Sequence, residues 1–480
     1  MTQHTESRVF HHFRSIANIP RCSGDRDRIA SFLTGFAEEH GLAYKRDETD
    51  NVVIYKPASP GKEDAAPVAL QGHTDMVCEK TSSSTHNFDT DPIELIEEGD
   101  WLRANNTTLG ADNGIAVAMM LAILEDKDAV HPPIEAVFTS DEEIGLIGAH
   151  ALDPSLMKAK RLINIDSEAE GILWTGCAGG ETMEISIPVD YMKVENLQAG
   201  VVSVAELAGG HSGMEIHKKR HNAIKVLTEV LNRLKDEVAI GLIRMAGGTK
   251  HNAIPRDAEA KIAFSPEDAP AVTEYIEKIT EELLEVYREK EFEDEPVIRF
   301  EKTDAPARAL TLESFEKVLA CLTLLPTGVY SMSRQIEGMV QASDNLAIVE
   351  TGDETVEIVL SIRSSDPKDQ DQLRGKVLSV TEIAEAKVDT SGGYPAWEVK
   401  EESPLRDTFA EVGRAQFGEM EITAVHAGLE TALFADRDPD MDLISLGPDM
   451  HEVHTPQERV SIGSTERVYS LIRAVLEQLD

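Results

Sequence analysis

Pro67-Val68-Ala69-Leu70-Gln71 reads as a short apolar strand, and it runs directly into Gly72-His73-Thr74-Asp75. The same pattern returns along the chain. Pro133 to Thr139 reads as a strand and ends in Ser140-Asp141-Glu142-Glu143; Arg161 to Ile165 reads as a strand and ends in Asp166-Ser167-Glu168. The strand Asp442 to Leu446 is followed by a loop that carries His454. Between these strands lies Ile115 to Leu124, apolar on every side and long enough for a buried helix, with Asp112 just before it. Ile29, Phe32, Leu33 and Phe36 have helical spacing, and Asn51 to Lys56 is rich in β-formers. Strands that alternate with helices predict an α/β domain whose sheet is mostly parallel and covered by helices. In such sheets ligands bind at the carboxyl ends of the strands, where these polar residues stand.

The texture changes after residue 185. Val201 to Leu207, Ala258 to Phe264 and Val356 to Ile362 read as strands, interleaved with acidic helices over Ala271 to Arg288 and Asp369 to Ala384. These helices are read as solvated faces over an antiparallel sheet. Near Pro395 the first texture returns, with a helix over Leu405 to Phe417 and a final amphipathic helix reaching Leu479. The natural parse is one domain interrupted by another: residues 1–185 and 393–480 form the first, and residues 186–392 an inserted α+β lid.

Composition narrows the function. The 480 residues carry 46 Lys and Arg against 87 Asp and Glu, a net charge of −41. Such a surface repels nucleic acid phosphates and anionic lipid, so neither is expected as a partner. It also suits high salt. No apolar run is long enough to span a bilayer. The stretch Met1 to Arg14, with His4, Arg8, His11, His12 and Arg14, lacks the apolar segment of a signal peptide, which predicts a cytoplasmic protein. Cys22, Cys78, Cys177 and Cys321 are widely spaced and are expected as reduced, buried thiols rather than a disulfide framework.

Each polar strand end alone has a bland explanation. A histidine after a strand is usually a turn or core residue, a Glu-Glu pair is usually solvated, and Asp112 could cap a helix. Collected at one edge of one sheet, they suit a pair of divalent ions. Two close cations need a shared carboxylate, and a further carboxylate must take the proton of an activated water. Asp75 is placed to receive the His73 N–H that faces away from the ions.

The runs Gly72-His73-Thr74-Asp75-Met76-Val77, Thr107 to Gly114, Asp141-Glu142-Glu143-Ile144-Gly145 and Asn164 to Glu168 resemble the M20 metallopeptidases. Gly176 to Gly180, Gly209-Gly210-His211-Ser212-Gly213, Asn252-Ala253-Ile254-Pro255-Arg256, His426 to Glu430 and His454-Thr455-Pro456 extend the likeness to the aminoacyl-histidine dipeptidase branch. The resemblance implies that His73 and Asp166 hold one metal, Glu143 and His454 the other, and that Asp112 bridges. It implies Glu142 as general base, Asp75 as orienter of His73, and His211 as the group that stabilises the oxyanion. Asn252 and Arg363 match positions that grip a substrate carboxylate, where a guanidinium fork fits. Glu430 is assigned to the substrate's α-amino group from its place in the motif.

The sequence also departs from the pattern. The last histidine motif reads His-Thr-Pro where this branch more often has His-Ser-Pro. His451 is a rival ligand, and Thr455-Pro456 favours His454. Shorter members carry their arginine where this chain has Ser265, so the longer lid points to Arg363. His217 and His221 are read as a polar helix face, and Tyr394-Pro395-Ala396-Trp397 as a turn with a packed aromatic at the domain crossing. The implied activity is hydrolysis of free-amine dipeptides, Xaa-His and β-alanyl-histidine among them, with two divalent ions, zinc before manganese or cobalt, in a homodimer. Rival readings are a tripeptide aminopeptidase, an N-acyl amino acid deacylase, or a binding protein that keeps the fold.

Overall fold

The strand Val68–His73 lies inside an eight-stranded sheet of the order Ala43–Arg46, Val52–Lys56, Ile134–Thr139, Val68–His73, Arg161–Asn164, Asp442–Ser445, Ile172–Cys177, Glu421–Val425. The computed structural model describes residues 7–304 and 307–480, so His4 falls outside the described residues. The central strands Ile134–Thr139, Val68–His73, Arg161–Asn164 and Asp442–Ser445 pair in parallel, and they are the ones that end in ligand-type residues or lead to them. The pairings flanking this group are antiparallel, so the sheet is mixed, with its parallel part confined to the middle. Buried on both faces, the central strands read as apolar runs, and a short connection joins the antiparallel pair Ala43–Arg46 and Val52–Lys56.

The helix Ala111–Glu125 packs on the strand Val68–His73 and on the helix Arg8–Ala17. It is buried from Asn113 through Leu124, which is why it shows no polar stripe. Gly72 allows the close approach: a Cβ there would stand 2.4 Å from Asn113 Oδ1 and 2.8 Å from the Ala116 Cβ. The helix start, with Asp112, is thereby brought against the strand end that carries His73. Gly110, at φ +69°, makes the turn into this helix in the left-handed region that glycine tolerates.

The chain divides into two units. The first runs through Cys177 and adds Trp397–Ala424 and Leu429–Asp480; the second comprises Ala178–Ala396 and Val425–Gly428. The divisions fall at Cys177/Ala178 and Ala396/Trp397 rather than after residues 185 and 392. The strand Gly179–Pro188 belongs wholly to the sheet of the second unit. That sheet has nine strands, and its mapped pairings are antiparallel. Its helix Ala269–Glu289 buries Val272, Ile276, Ile279 and Leu283 and exposes Glu274, Glu277, Glu281 and Glu285, an amphipathic pattern with the acids in water. No helix among the described residues is long and apolar enough to cross a membrane.

Two expectations are corrected. Cys22 and Cys78 form a disulfide, with Cα atoms 5.7 Å apart. A parallel bridge between Cys22 and Met76 brings Cys22 close to Cys78, 56 residues further along the chain, a proximity no local pattern announces. Cys177 and Cys321 are the buried free thiols. His217 lies in a turn and His221 in irregular chain just before the helix Ala223–Glu237, neither on a helix, and His221 is buried with its ring stacked on Phe292.

Candidate metal centre

Asp112 divides its carboxylate between two imidazoles. Its Oδ1 lies 3.1 Å from His73 Nε2, and its Oδ2 lies 3.0 Å from His454 Nε2. Asp166 Oδ1 stands 3.5 Å from the same His73 nitrogen, and Glu143 Oε1 stands 3.0 Å from the same His454 nitrogen. The sequence-predicted ligands thus gather as His73 with Asp166 and His454 with Glu143, Asp112 lying between. Glu142 Oε2 is 4.0 Å from His73 Nε2, close to the cluster but set apart from its nearest contacts.

The local folding that sets this geometry is visible. His73, Glu142, Glu143 and Asp166 follow or end parallel strands, as expected of a site at the carboxyl edge of a sheet. His454 sits in the loop between Met450–His451 and Arg459–Ser461, paired strands of a small antiparallel sheet. His451 is engaged elsewhere: its exposed ring lies 5.1 Å from that of Trp101.

Asp75 does more than orient His73. Its Oδ1 lies 3.3 Å from His73 Nδ1 and accepts the Glu142 N–H, and its Oδ2 accepts the Glu143 N–H and the Ser23 hydroxyl. One buried carboxylate therefore fixes a histidine and the backbone of the Glu-Glu pair together. Burial would raise its pKa, but His73, Ser23 and the Glu142 N–H hold it down at about 2.

A relay of side chains joins the strand ends beneath the cluster. Ser445 Oγ donates to Asn164 Oδ1, Asn164 Nδ2 to Gln71 Oε1, and Gln71 Nε2 to Glu430 Oε2, which Thr139 Oγ1 also reaches. Glu430 is 0% exposed, and its Oε1 has no hydrogen-bond partner. Burial pushes its pKa up to about 7.

The electrostatics follow from the crowding. Burial alone would lower the His73 pKa, yet Asp166, Asp112, Asp75 and Glu142 hold it well above the usual imidazole value. Hydrogen bonds to Asp112 and Glu143 raise His454 to about 11. Burial first, and then neighbouring carboxylates, push Glu142 and Asp166 well above the usual range. The cluster carries more negative charge than its imidazoles offset. The donors suit a divalent ion: imidazole nitrogens and carboxylate oxygens, with no sulfur. Donor atoms of His73, Asp112 and Glu143 lie within 4.8 Å of one another. Asp166 Oδ1 is buried without a hydrogen-bond partner, as a ligand atom would be.

The remaining predicted residues lie in the second unit. His211 Nδ1 accepts the N–H groups of Gly213 and Met214, which leaves the proton on Nε2. Asn252 is its neighbour through the bond from Ser212 N–H to the Asn252 carbonyl. Arg363 is 8% exposed, donates to the Tyr394 hydroxyl at 2.8 Å, and leaves its Nε without a partner. Sequence reading passed over Arg21 and Glu458, which hold the loops of the cluster. Glu458 stands four residues after His454, a spacing that could have drawn attention to it; Arg21 has no such signal.

A carboxylate placed between two imidazole–carboxylate pairs, at the ends of the parallel central strands, is an arrangement that suits a metal-dependent hydrolase. The family model of peptidase family M20/M25/M40 matches residues 69–478. The chain belongs to this family and is a metallopeptidase of it. It is 35% identical over 469 residues to the cytosol non-specific dipeptidase of Escherichia coli (strain K12), covering 97% of this chain and 96% of that protein. The structure of an aminoacylhistidine dipeptidase from Vibrio alginolyticus superposes with a TM-score of 0.88 at 34% identity, covering 99% of this chain and 97% of the other. A tripeptidase from Staphylococcus aureus shares the fold, with a TM-score of 0.57 at 17% identity over 98% of this chain and 97% of its own.

Proposed function

We propose that this chain is a dipeptidase that cleaves dipeptides with a free N-terminus, Xaa-His and β-alanyl-histidine among them, in the cytoplasm and with two divalent ions. The observation that carries this reading is the divided Asp112 carboxylate, with His73 and Asp166 on one side and His454 and Glu143 on the other. Zinc is the first choice of ion, with manganese or cobalt next, because the donors are imidazole and carboxylate. The two dipeptidase relatives, each matched along nearly its whole length, support the choice of substrate.

What a pair of divalent ions supplies there, once bound, is Lewis acidity: a more acidic water and a polarised carbonyl. Glu142 takes the proton of the attacking water and passes it to the leaving amine. Burial among carboxylates raises the proton affinity of Glu142, which suits a group that must both accept and release a proton. Asp75 holds His73 and the Glu142 backbone in register for that transfer. His211 donates its Nε2–H to the carbonyl oxygen as negative charge develops. Asn252 and Arg363 bind the peptide's carboxylate, and Glu430 meets the α-amino group, for which its unpartnered Oε1 is the support. A homodimer is proposed on the exposed apolar side chains of the second unit, Met192, Leu312, Leu324 and Met332.

The test is a panel of L-Ala-His, β-Ala-His, Leu-Gly, a tripeptide and an N-acetyl amino acid, after chelation and after return of zinc, manganese or cobalt. Ion-restored cleavage confined to free-amine dipeptides is expected. Cleavage of the tripeptide or the acetyl substrate instead would assign a different peptide-bond specificity to the same site. Light scattering at micromolar concentration tests the dimer.

A further inference from the structure

Four adjacent strands of the second unit place one row of residues side by side. Tyr394 pairs with Gly180, Gly180 with Arg363, and Arg363 with Ser343, so all four face the same side of the sheet. Gly180 keeps the row open: a Cβ there would stand 2.7 Å from the Tyr394 hydroxyl. Tyr394 thus reaches across the glycine to accept from Arg363 Nη1 at 2.8 Å. On the other side of Arg363, Ser343 Oγ meets His426 Nε2 at 2.7 Å.

Arg363 and His426 are both more than nine-tenths buried, at 8% and 7% exposure. Arg363 Nε and His426 Nδ1 have no hydrogen-bond partner, and among the described residues Arg363 forms no ion pair, its guanidinium donating to the Tyr394 hydroxyl. A buried guanidinium without a counter-ion, beside an unpartnered imidazole nitrogen, is built to receive an anion. The imidazole is neutral: burial first, and then the charges of Arg363, His211 and His217, lower its pKa to about 3. The tautomer in which the Ser343 hydroxyl donates to Nε2 carries the ring proton on Nδ1, the free nitrogen, where an anion would be met.

We propose that His426 is a substrate-binding residue whose Nδ1–H, set by Ser343, joins Arg363 in holding the C-terminal carboxylate of the peptide. The inference rests on the dipeptidase reading and deepens it by adding a neutral donor to the carboxylate grip. A neutral donor adds a hydrogen bond without adding a second buried charge, and its contribution stays constant across the neutral pH range.

The experiment uses the ion-loaded enzyme and two probes: Leu-Gly with its peptide bond reduced to a methylene-amine, and the C-terminal amide of the same compound. Their affinities are measured by calorimetry, with Leu-Gly turnover in parallel. His426→Gln retains a polar group near Ser343 but lacks the donor at the Nδ1 position. It is expected to weaken the free-acid probe about 10- to 100-fold, as for a lost hydrogen bond to a charged group, with little change for the amide. For Leu-Gly, KM should rise with kcat changed much less. His426→Asn, whose amide nitrogen falls near the Nδ1 position, should recover part of the loss. Ser343→Ala, on a neighbouring strand, should reproduce a smaller acid-selective loss even if the Gln variant folds poorly. Equal weakening of acid and amide, or an unchanged acid affinity in both variants, overturns the proposal. If the wild type turns over no dipeptide while the acid-selective loss persists, the dipeptidase reading falls and the anion grip stands. If Leu-Gly is cleaved and both variants match the wild type, the reverse holds.

Discussion

Arg21 and Glu458 meet at Gly110 from its two sides. Arg21 Nη2 donates to the Gly110 carbonyl, and Glu458 Oε2 accepts the Gly110 N–H at 3.0 Å. Arg21 also donates to the carbonyls of Thr74 and Asp75, at 3.0 and 3.1 Å. Glu458 also accepts from Leu109, Ala111 and Asp112. A buried cation and a buried anion thereby lock the turn that presents Asp112 to the strand end that presents His73.

This lock predicts that Arg21→Met and Glu458→Gln weaken ion binding by about 10- to 100-fold, the usual effect of losing a group that orients a ligand. Glu458→Asp should lose less. Competition against a chromophoric chelator measures it. A fall in thermal stability with ion affinity unchanged would assign the pair to the fold alone.

Glu142→Gln keeps the shape of the side chain and removes its capacity to carry the proton. A fall in kcat of about 10²- to 10⁴-fold is expected, with ion content retained. Atomic absorption on the purified variant, beside Leu-Gly kinetics, checks both halves.

Asp344 offers a pH test away from the metal cluster. It is 1% exposed, neither carboxylate oxygen has a hydrogen-bond partner, and burial raises its pKa well above the ordinary carboxylate value of 3.8. Between that unfolded value and the raised folded value, the folded protein binds the extra proton. Stability from this group is therefore full below pH 3.8 and is lost as pH rises through the folded value. Asp344→Asn should melt a few degrees higher than wild type at pH 7, and the gap should close near pH 3.5. A variant less stable than wild type at pH 7 would contradict this.

The Cys22–Cys78 disulfide closes a loop whose ends are 56 residues apart, and Ser23 beside it donates to Asp75. Chain-entropy arguments put its contribution at about 4 kcal/mol. Urea unfolding of the double Cys22→Ser, Cys78→Ser variant should show a lower midpoint. Thiol titration of the denatured wild type should find only Cys177 and Cys321 until reductant is added.

The candidate ligand set could be read from the sequence because its signals are local. A strand followed at once by His73, by Glu142-Glu143 or by Asp166 states both the element and the end at which the residue sits, and the parallel centre of the sheet matches that reading. His454 was separable from His451 by the two residues after it, and the structure sends His451 to Trp101. The antiparallel flanks of the sheet were not legible, since an apolar strand does not declare the direction of its neighbour. Nor was the disulfide, since it depends on a bridge between Cys22 and Met76.

The sequence alone determined which side chains could serve as ligands, base and orienter, because hydrophobic patterning and polar strand ends are properties of short stretches of chain. Only the tertiary structure decided that Asp75 also holds the Glu142 and Glu143 backbone, and that Arg21 and Glu458 share Gly110. It alone set Arg363 and Ser343 side by side in one row, with His426 attached to Ser343. Strand register and the close approach allowed by Gly72 and Gly180 set those contacts, and they join residues that no sequence spacing relates.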